Sequence, residues 1–139
     1  MVCAIEDQSS GIQWYNGSST TTGATGTVIG LGSTNTTAII ANQGLVETSY
    51  AAGLARAYRG GGYTDWFLPS KAELNKMWLE RETINTTASA NGGSDFSTNV
   101  YWSSTEYGNS NSWLQVFLNG AQGPNNKNYT YNVRAVRAF

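Results

Sequence analysis

The stretch GGGYTDWFLPSKAEL, residues 60–74, holds a helix stop, a bulky apolar run and a helix start in close succession. Gly60-Gly61-Gly62 supplies the stop. Trp66, Phe67 and Leu68 place large apolar area just ahead of Pro69, which favours an extended entry. Ser70 and Glu73 then form a capping-box pattern, with Leu74, Met77 and Trp78 following on one face. A helix is therefore expected from Ser70 to near Glu82. Upstream, Ala51, Leu54, Ala55 and Tyr58 fall at i, i+3, i+4 and i+7, which predicts an earlier helix over Ser49–Tyr58.

The rest of the chain is read outward from these two helices. Val2 to Ile12 reads as a short strand region. Asn16 to Asn42 is rich in Gly, Thr, Ser and Asn, and is expected to be a flexible surface excursion. Its short extended pieces would be Val28-Ile29 and Ala38-Ile39-Ile40. Thr83 to Asn99 reads as loop. Val100–Ser104, Ser112–Asn119 and Asn128–Phe139 read as strands, separated by turn-formers at Tyr107–Asn111 and Gly120–Asn126. Two helices early and a small antiparallel sheet late make one α+β domain over residues 1–139.

Composition narrows the function. Charged residues are 12% of the 139-residue chain and the net charge is −1. That share is about half the ~25% of ordinary soluble domains, so Asn, Ser, Thr and Gly must supply surface polarity. Without a Lys/Arg stripe, a nucleic-acid partner is not expected. No apolar run is long enough to insert in a bilayer, and the start Met1-Val2-Cys3 has no signal-peptide pattern. The chain has no histidine and one cysteine, Cys3. Histidine-based catalysis, zinc sites that need histidine and an internal disulfide are thereby removed, and neither an enzyme nor a cofactor is expected.

Three ordered segments carry a resemblance: GGGYTDWFLPSKAEL (60–74), YWSSTEYG (101–108) and YNVRAVRAF (131–139). Together they resemble the C-terminal domain of collagen-like bacterial adhesins. The same domain occurs in phage and bacterial proteins diversified by retroelements. The resemblance runs from about Gly11 to Phe139 and is weakest through Asn16 to Ala41. It implies a C-type-lectin-like fold and ligand binding without catalysis. It also implies an extracellular setting, on a phage tail, a virion or a bacterial surface. The partner would be an unidentified protein or cell-surface receptor, with homo-oligomerisation through a parent protein left open.

Residues 112–119 admit two readings. Trp113, Gln115, Phe117 and Asn119 share one side of a strand, and Leu114, Val116 and Leu118 the other. Both sides are apolar, so the plain inference is a strand buried on both faces. The resemblance implies instead that Trp113 and Phe117 are framework. Leu114, Val116 and Leu118 would then form a partly exposed ligand patch.

Codon logic bears on the same segment. Retroelements of this kind replace template adenines, so an AAC codon for Asn becomes any NNC codon, and those never encode Trp, Gln, Glu, Lys or Met. Between Tyr107 and Asn132, only Trp113, Gln115, Gln122 and Lys127 fall outside the NNC set. The hypervariable part is placed at about 101–139. Its candidate ligand-binding residues are Tyr107, Asn109, Asn111, Leu114, Val116, Leu118, Asn119, Ala121, Asn125, Asn126, Asn128 and Thr130. Tyr107, Tyr129 and Tyr131 are candidate aromatic anchors.

Rival readings remain. Gly123-Pro124-Asn125 partly echoes the Glu-Pro-Asn motif of calcium-dependent sugar binding, but lacks the Glu. A fixed structural or adhesin module would show no variation at Leu114, Val116 or Leu118. Core packing is expected for Trp66, Trp102 and Trp113, and Asp65 and Glu106 are expected to cap loops or pair with Arg134 or Arg137.

Overall fold

The computed structural model describes residues 1–138. The expected end of the last strand at Phe139 lies outside the described residues. The chain runs β1 (Val2–Cys3), β2 (Ser9–Ile12), α1 (Gly32–Gln43), α2 (Ala51–Ala57), α3 (Lys71–Leu79) and α4 (Arg81–Ala90). It ends with β3 (Val100–Glu106), β4 (Asn111–Val116), β5 (Gln122–Asn126), β6 (Tyr131–Val133) and β7 (Val136–Arg137). The domain is α+β, with helices early and most strands late.

The expected capping box is present: Glu73 N donates to Ser70 Oγ, and Ser70 N donates to Glu73 Oε1 at 2.7 Å. It starts α3, which ends at Leu79, three residues before the predicted end. Residues 81–90 then form α4 where a loop was expected from Thr83. The larger correction concerns residues 32–43. They form α1 inside a segment read as loop. Its buried residues are Gly32, Asn35, Thr36, Ile39 and Gln43, which keep a helical spacing but are mostly polar. Hydrogen bonds compensate their burial. Asn35 exchanges two bonds with the Gly26 backbone, and Thr36 Oγ1 donates to Gly32 O and accepts from Leu68 N. Gly32 is required there, because a Cβ would strike Phe67 and Glu73.

Five strands form one sheet in the order β2-β6-β3-β4-β5, and β1 pairs separately with β7. The large sheet is antiparallel except at β3–β6, where Tyr101 faces Asn132 in parallel. β5 replaces the turn expected at Gly120–Asn126, and it pairs with β4 from Gln115↔Gln122 to Asn111↔Asn126. Its sequence, QGPNN, has low strand propensity. It survives as the sheet edge. Val116 N donates to Ala121 O and Lys127 N to Ser110 O, so alternation leaves Pro124 in a non-hydrogen-bonded pair with Trp113. Its missing N–H would have faced solvent, and a proline there discourages pairing with another chain.

β3 is buried on both faces and divides the core. Trp102 packs with Trp14, Trp66, Leu68, Leu114 and Val133. Tyr101 packs with Phe67, Leu74, Met77, Phe96 and Phe117. Burying each large side chain contributes about 2–3 kcal/mol. Trp66 and Trp102 are core residues as expected, but Trp113 is only half-buried, under the Lys71 ammonium at 3.6 Å from its ring centroid. Asp65 does pair with Arg137, at 2.7 Å, whereas Arg134 takes Asp7 at 2.6 Å.

The plain period-two reading of β4 is the better one. Leu114 is 8% exposed and belongs to the core, and Val116 is half-buried against the same cluster. Leu118 lies beyond the strand and is 72% exposed. The three do not form one exposed apolar patch, because Leu114 faces Trp102 across the ladder. Leu114→Ala should accordingly cost about 2–5 kcal/mol of stability. Leu118→Ala should cost less than ~0.5 kcal/mol. Urea unfolding of the two variants measures the difference, and equal costs would contradict the placement.

Candidate functional site

The loops at one end of the sheet meet around a buried ion pair. Lys127 Nζ lies 2.8 Å from Glu106 Oε2, and the two side chains are 1% and 2% exposed. The ammonium also donates to Thr20 O at 3.0 Å and Asn109 O at 2.7 Å. An ammonium has three donors, so all are used. It also sits 4.7 Å from the centroid of the Trp14 ring. The Glu106 carboxylate accepts from Thr22 N and from Thr22 Oγ1, the latter at 2.8 Å. Glu106 thus caps the loop at Thr22, one of the two roles expected of it, and its ion-pair partner is Lys127 and not Arg134 or Arg137.

This arrangement gathers separate parts of the chain. Thr20 and Thr22 come from the long segment before α1, Glu106 from the end of β3, Asn109 from the β3–β4 loop, and Lys127 from just beyond β5. Backbone bonds reinforce it: Trp14 N donates to Lys127 O, Glu106 N to Ala24 O, and Lys127 N to Ser110 O. Thr105 Oγ1 adds a bond to Gly26 O at 2.8 Å. The segment expected to be a flexible excursion is therefore tied to β3 at residues 22–26 and to Lys127 at Thr20.

Over Lys127 lies a shallow polar notch of about 190 Å³, lined by Tyr15, Ser19, Ser110, Asn126, Lys127 and Asn128. Ser19, Ser110, Asn126 and Asn128 are exposed. Tyr15, Ser19 and Ser110 were not singled out from sequence. Nothing local marks them, since they converge only when the loops close over the ion pair.

The candidate residues divide into three places. Asn109, Asn126 and Asn128 are exposed at the notch end of the β4–β5 hairpin, with Tyr107 edge-on to Trp113 at 5.5 Å. Asn111, at the start of β4, is half-buried, and its Oδ1 has no hydrogen-bond partner among the described residues. Asn125 is half-buried on the edge strand β5, donating Nδ2 to Tyr131 Oη at 2.9 Å. Tyr131 packs on Trp102 at 4.7 Å and carries Tyr129 stacked on it at 5.9 Å. Thr130 is exposed between these two tyrosines. Leu118, Asn119 and Ala121 are exposed around the β4–β5 turn. That turn is a β4 length away, roughly 17 Å. One contact surface covering both ends would have to span the whole hairpin.

The electrostatics are sparse. Between Tyr107 and Asn132 the only charged residue is Lys127, and Glu106 neutralises it. Burial pushes the Cys3 thiol up to about 12, so it stays protonated at neutral pH. Among the described residues no group of His, Cys, Asp or Glu could hold a metal ion, and no helix is long and apolar enough to cross a membrane.

Removing one member of a buried ion pair leaves the other uncompensated. Lys127→Met should cost about 3–5 kcal/mol in urea unfolding. The double variant Glu106→Gln/Lys127→Met should cost less than the sum of its single changes, because the partners are coupled. Additive costs would show that the pair does not act as a unit.

The profile of the Lcl C-terminal domain family matches residues 3–137. No curated protein matches the chain. The family match begins in β1 and ends in β7, so it takes in the ion pair, the notch and both core clusters. The chain belongs to the Lcl C-terminal domain family, found at the C-terminus of adhesin-like proteins.

Proposed function

We propose that this domain is a non-enzymatic ligand-binding module with a C-type-lectin-like fold, whose contact surface is varied by retroelement mutagenesis. It is displayed outside the cell, on a phage tail, a virion or a bacterial surface, and engages a protein or cell-surface receptor. Binding needs no covalent step and no cofactor.

The observation that carries this reading is a division within residues 107–132. The residues that NNC codons cannot encode all make specific framework contacts. Lys127 makes the buried ion pair. Gln115 is fully buried, with its amide donating to Asn75 Oδ1 and Gly120 O. Gln122 donates to Lys71 O, and Trp113 carries the Lys71 ammonium. By contrast Asn109, Asn119, Asn126 and Asn128 are exposed. Substitutions at exposed positions are usually within ~0.5 kcal/mol of neutral. A scaffold that fixes the first set and frees the second tolerates many contact surfaces on one fold.

Sequencing the DNA around the gene tests this directly. The expected result is a near-identical copy of the segment encoding Tyr101 to Phe139, near a reverse-transcriptase gene. The copies should differ only at template adenines, and codon 113, the tryptophan codon TGG, should be unchanged because it has none. Absence of a copy, or differences that do not fall at template adenines, would contradict diversification and leave a fixed adhesin module.

A further inference from the structure

The lysines of the chain differ in what they face. Lys76 and Lys127 pair with carboxylates, those of Glu80 and Glu106. Lys71 does not. Its ammonium sits 3.6 Å from the centroid of the Trp113 ring, and among the described residues it makes no hydrogen bond and no ion pair. Contact with a ring face holds an ammonium in place but leaves its charge uncancelled. Beside it opens a cleft of about 280 Å³, lined by Thr27, Val28, Lys71, Ala72, Asn75 and Gln122. No carboxylate lines it. Glu73, the next acid along α3, is 2% exposed and accepts from Ser70 N and Gly30 N. Asn75 stands at i+4 from Lys71, on the same helix face. Its Oδ1 accepts from the buried Gln115 at 2.9 Å, and its Nδ2 protons have no acceptor among the described residues. Gln122 Nε2 is already engaged by Lys71 O and Gln115 Oε1. The cleft therefore joins one uncancelled cation and one free amide donor to the apolar flank of Val28 and Ala72.

We infer that the cleft of Lys71 and Asn75 binds a carboxylate side chain of a protein partner, as a constant anchor beside the variable surface. This rests on the binding role proposed above. Two donors one helical turn apart match the two oxygens of a single carboxylate. The apolar flank matches the methylenes that carry that group on an acidic side chain. A polyanion would instead be held by several cations at once, and Lys71 stands alone among the lining residues. Apart from Gln122, those residues precede the segment placed at 101–139. The anchor thus stays the same while that segment varies.

The test is nitrogen-edited NMR of the whole chain, titrated separately with acetyl-glycyl-glutamyl-glycine amide, its glutaminyl analogue and glucuronate. The glutamyl peptide should shift the Asn75 side-chain amide and Trp113 indole signals, and its neutral analogue should not. Raising salt from ~50 mM to ~500 mM should weaken the binding several-fold. Glucuronate should bind more weakly, because its ring hydroxyls gain nothing from Val28 and Ala72. Lys71→Gln should weaken peptide binding at least ~10-fold. Lys76→Gln removes the same charge from an exposed position on the same helix and should leave binding unchanged. The inference is overturned if neither peptide moves these signals, if the neutral analogue or glucuronate binds as tightly as the glutamyl peptide, or if the two lysine variants weaken binding equally. Those failures would leave the diversified-receptor reading intact, since that reading stands or falls on the genomic template copy. A missing template copy would in turn leave carboxylate binding at Lys71 untouched.

Discussion

The Lys127–Glu106 pair is the constraint on which the binding end of this domain depends. Two charges removed from water lose several kcal/mol each, and their attraction offsets this only when every remaining donor and acceptor is satisfied. Here the satisfaction is complete for the ammonium and comes from backbone carbonyls at Thr20 and Asn109. The energetic requirement of one side chain therefore fixes the path of distant loops. Those loops have little apolar content of their own, and the ion pair supplies the ordering that a hydrophobic anchor would supply elsewhere.

Such a device suits a surface that must vary. The core clusters sit behind it: Trp102 and Leu114 on one side of the sheet, Tyr101 and Phe117 on the other. The exposed Asn side chains at 109, 126 and 128 contribute little to either cluster. Their backbones are held by the hairpin register and by Lys127, so the side chains can change while the scaffold stays. Pro124 adds a second safeguard by removing a donor from the exposed edge strand.

Much of the fold was legible where sequence and burial follow the same rule. The Ser70–Glu73 capping box, the buried Trp66-Phe67-Leu68 run and the alanine-lined α2 each show an ordinary apolar or capping pattern. Helix α1 was not legible, because its buried face sets a single large apolar residue, Ile39, among Gly32, Asn35, Thr36 and Gln43. Its periodicity exists in burial and hydrogen bonding, not in hydropathy. Strand β5 was hidden because Gly123, Pro124 and Asn125 are turn-formers that an edge position tolerates. At the site, Lys127 stood out as one of the four residues outside the NNC set, and Glu106 as a residue in need of a partner, but their pairing did not. Glu106 is 21 residues away in sequence, and only the closed loops bring the two together. The apolar patch expected at Leu114, Val116 and Leu118 failed for a related reason: alternation along β4 assigns faces but cannot say what covers them.

The central claim is that a few framework contacts hold a surface otherwise free to vary. Saturation mutagenesis of residues 107–132, read out by protease resistance of the displayed domain, tests it most directly. The account predicts strong intolerance at Leu114, Gln115, Phe117 and Lys127, and near-neutral substitution at Asn109, Leu118, Asn119, Asn126 and Asn128. Uniform intolerance along the segment, or free substitution at Lys127, would contradict it.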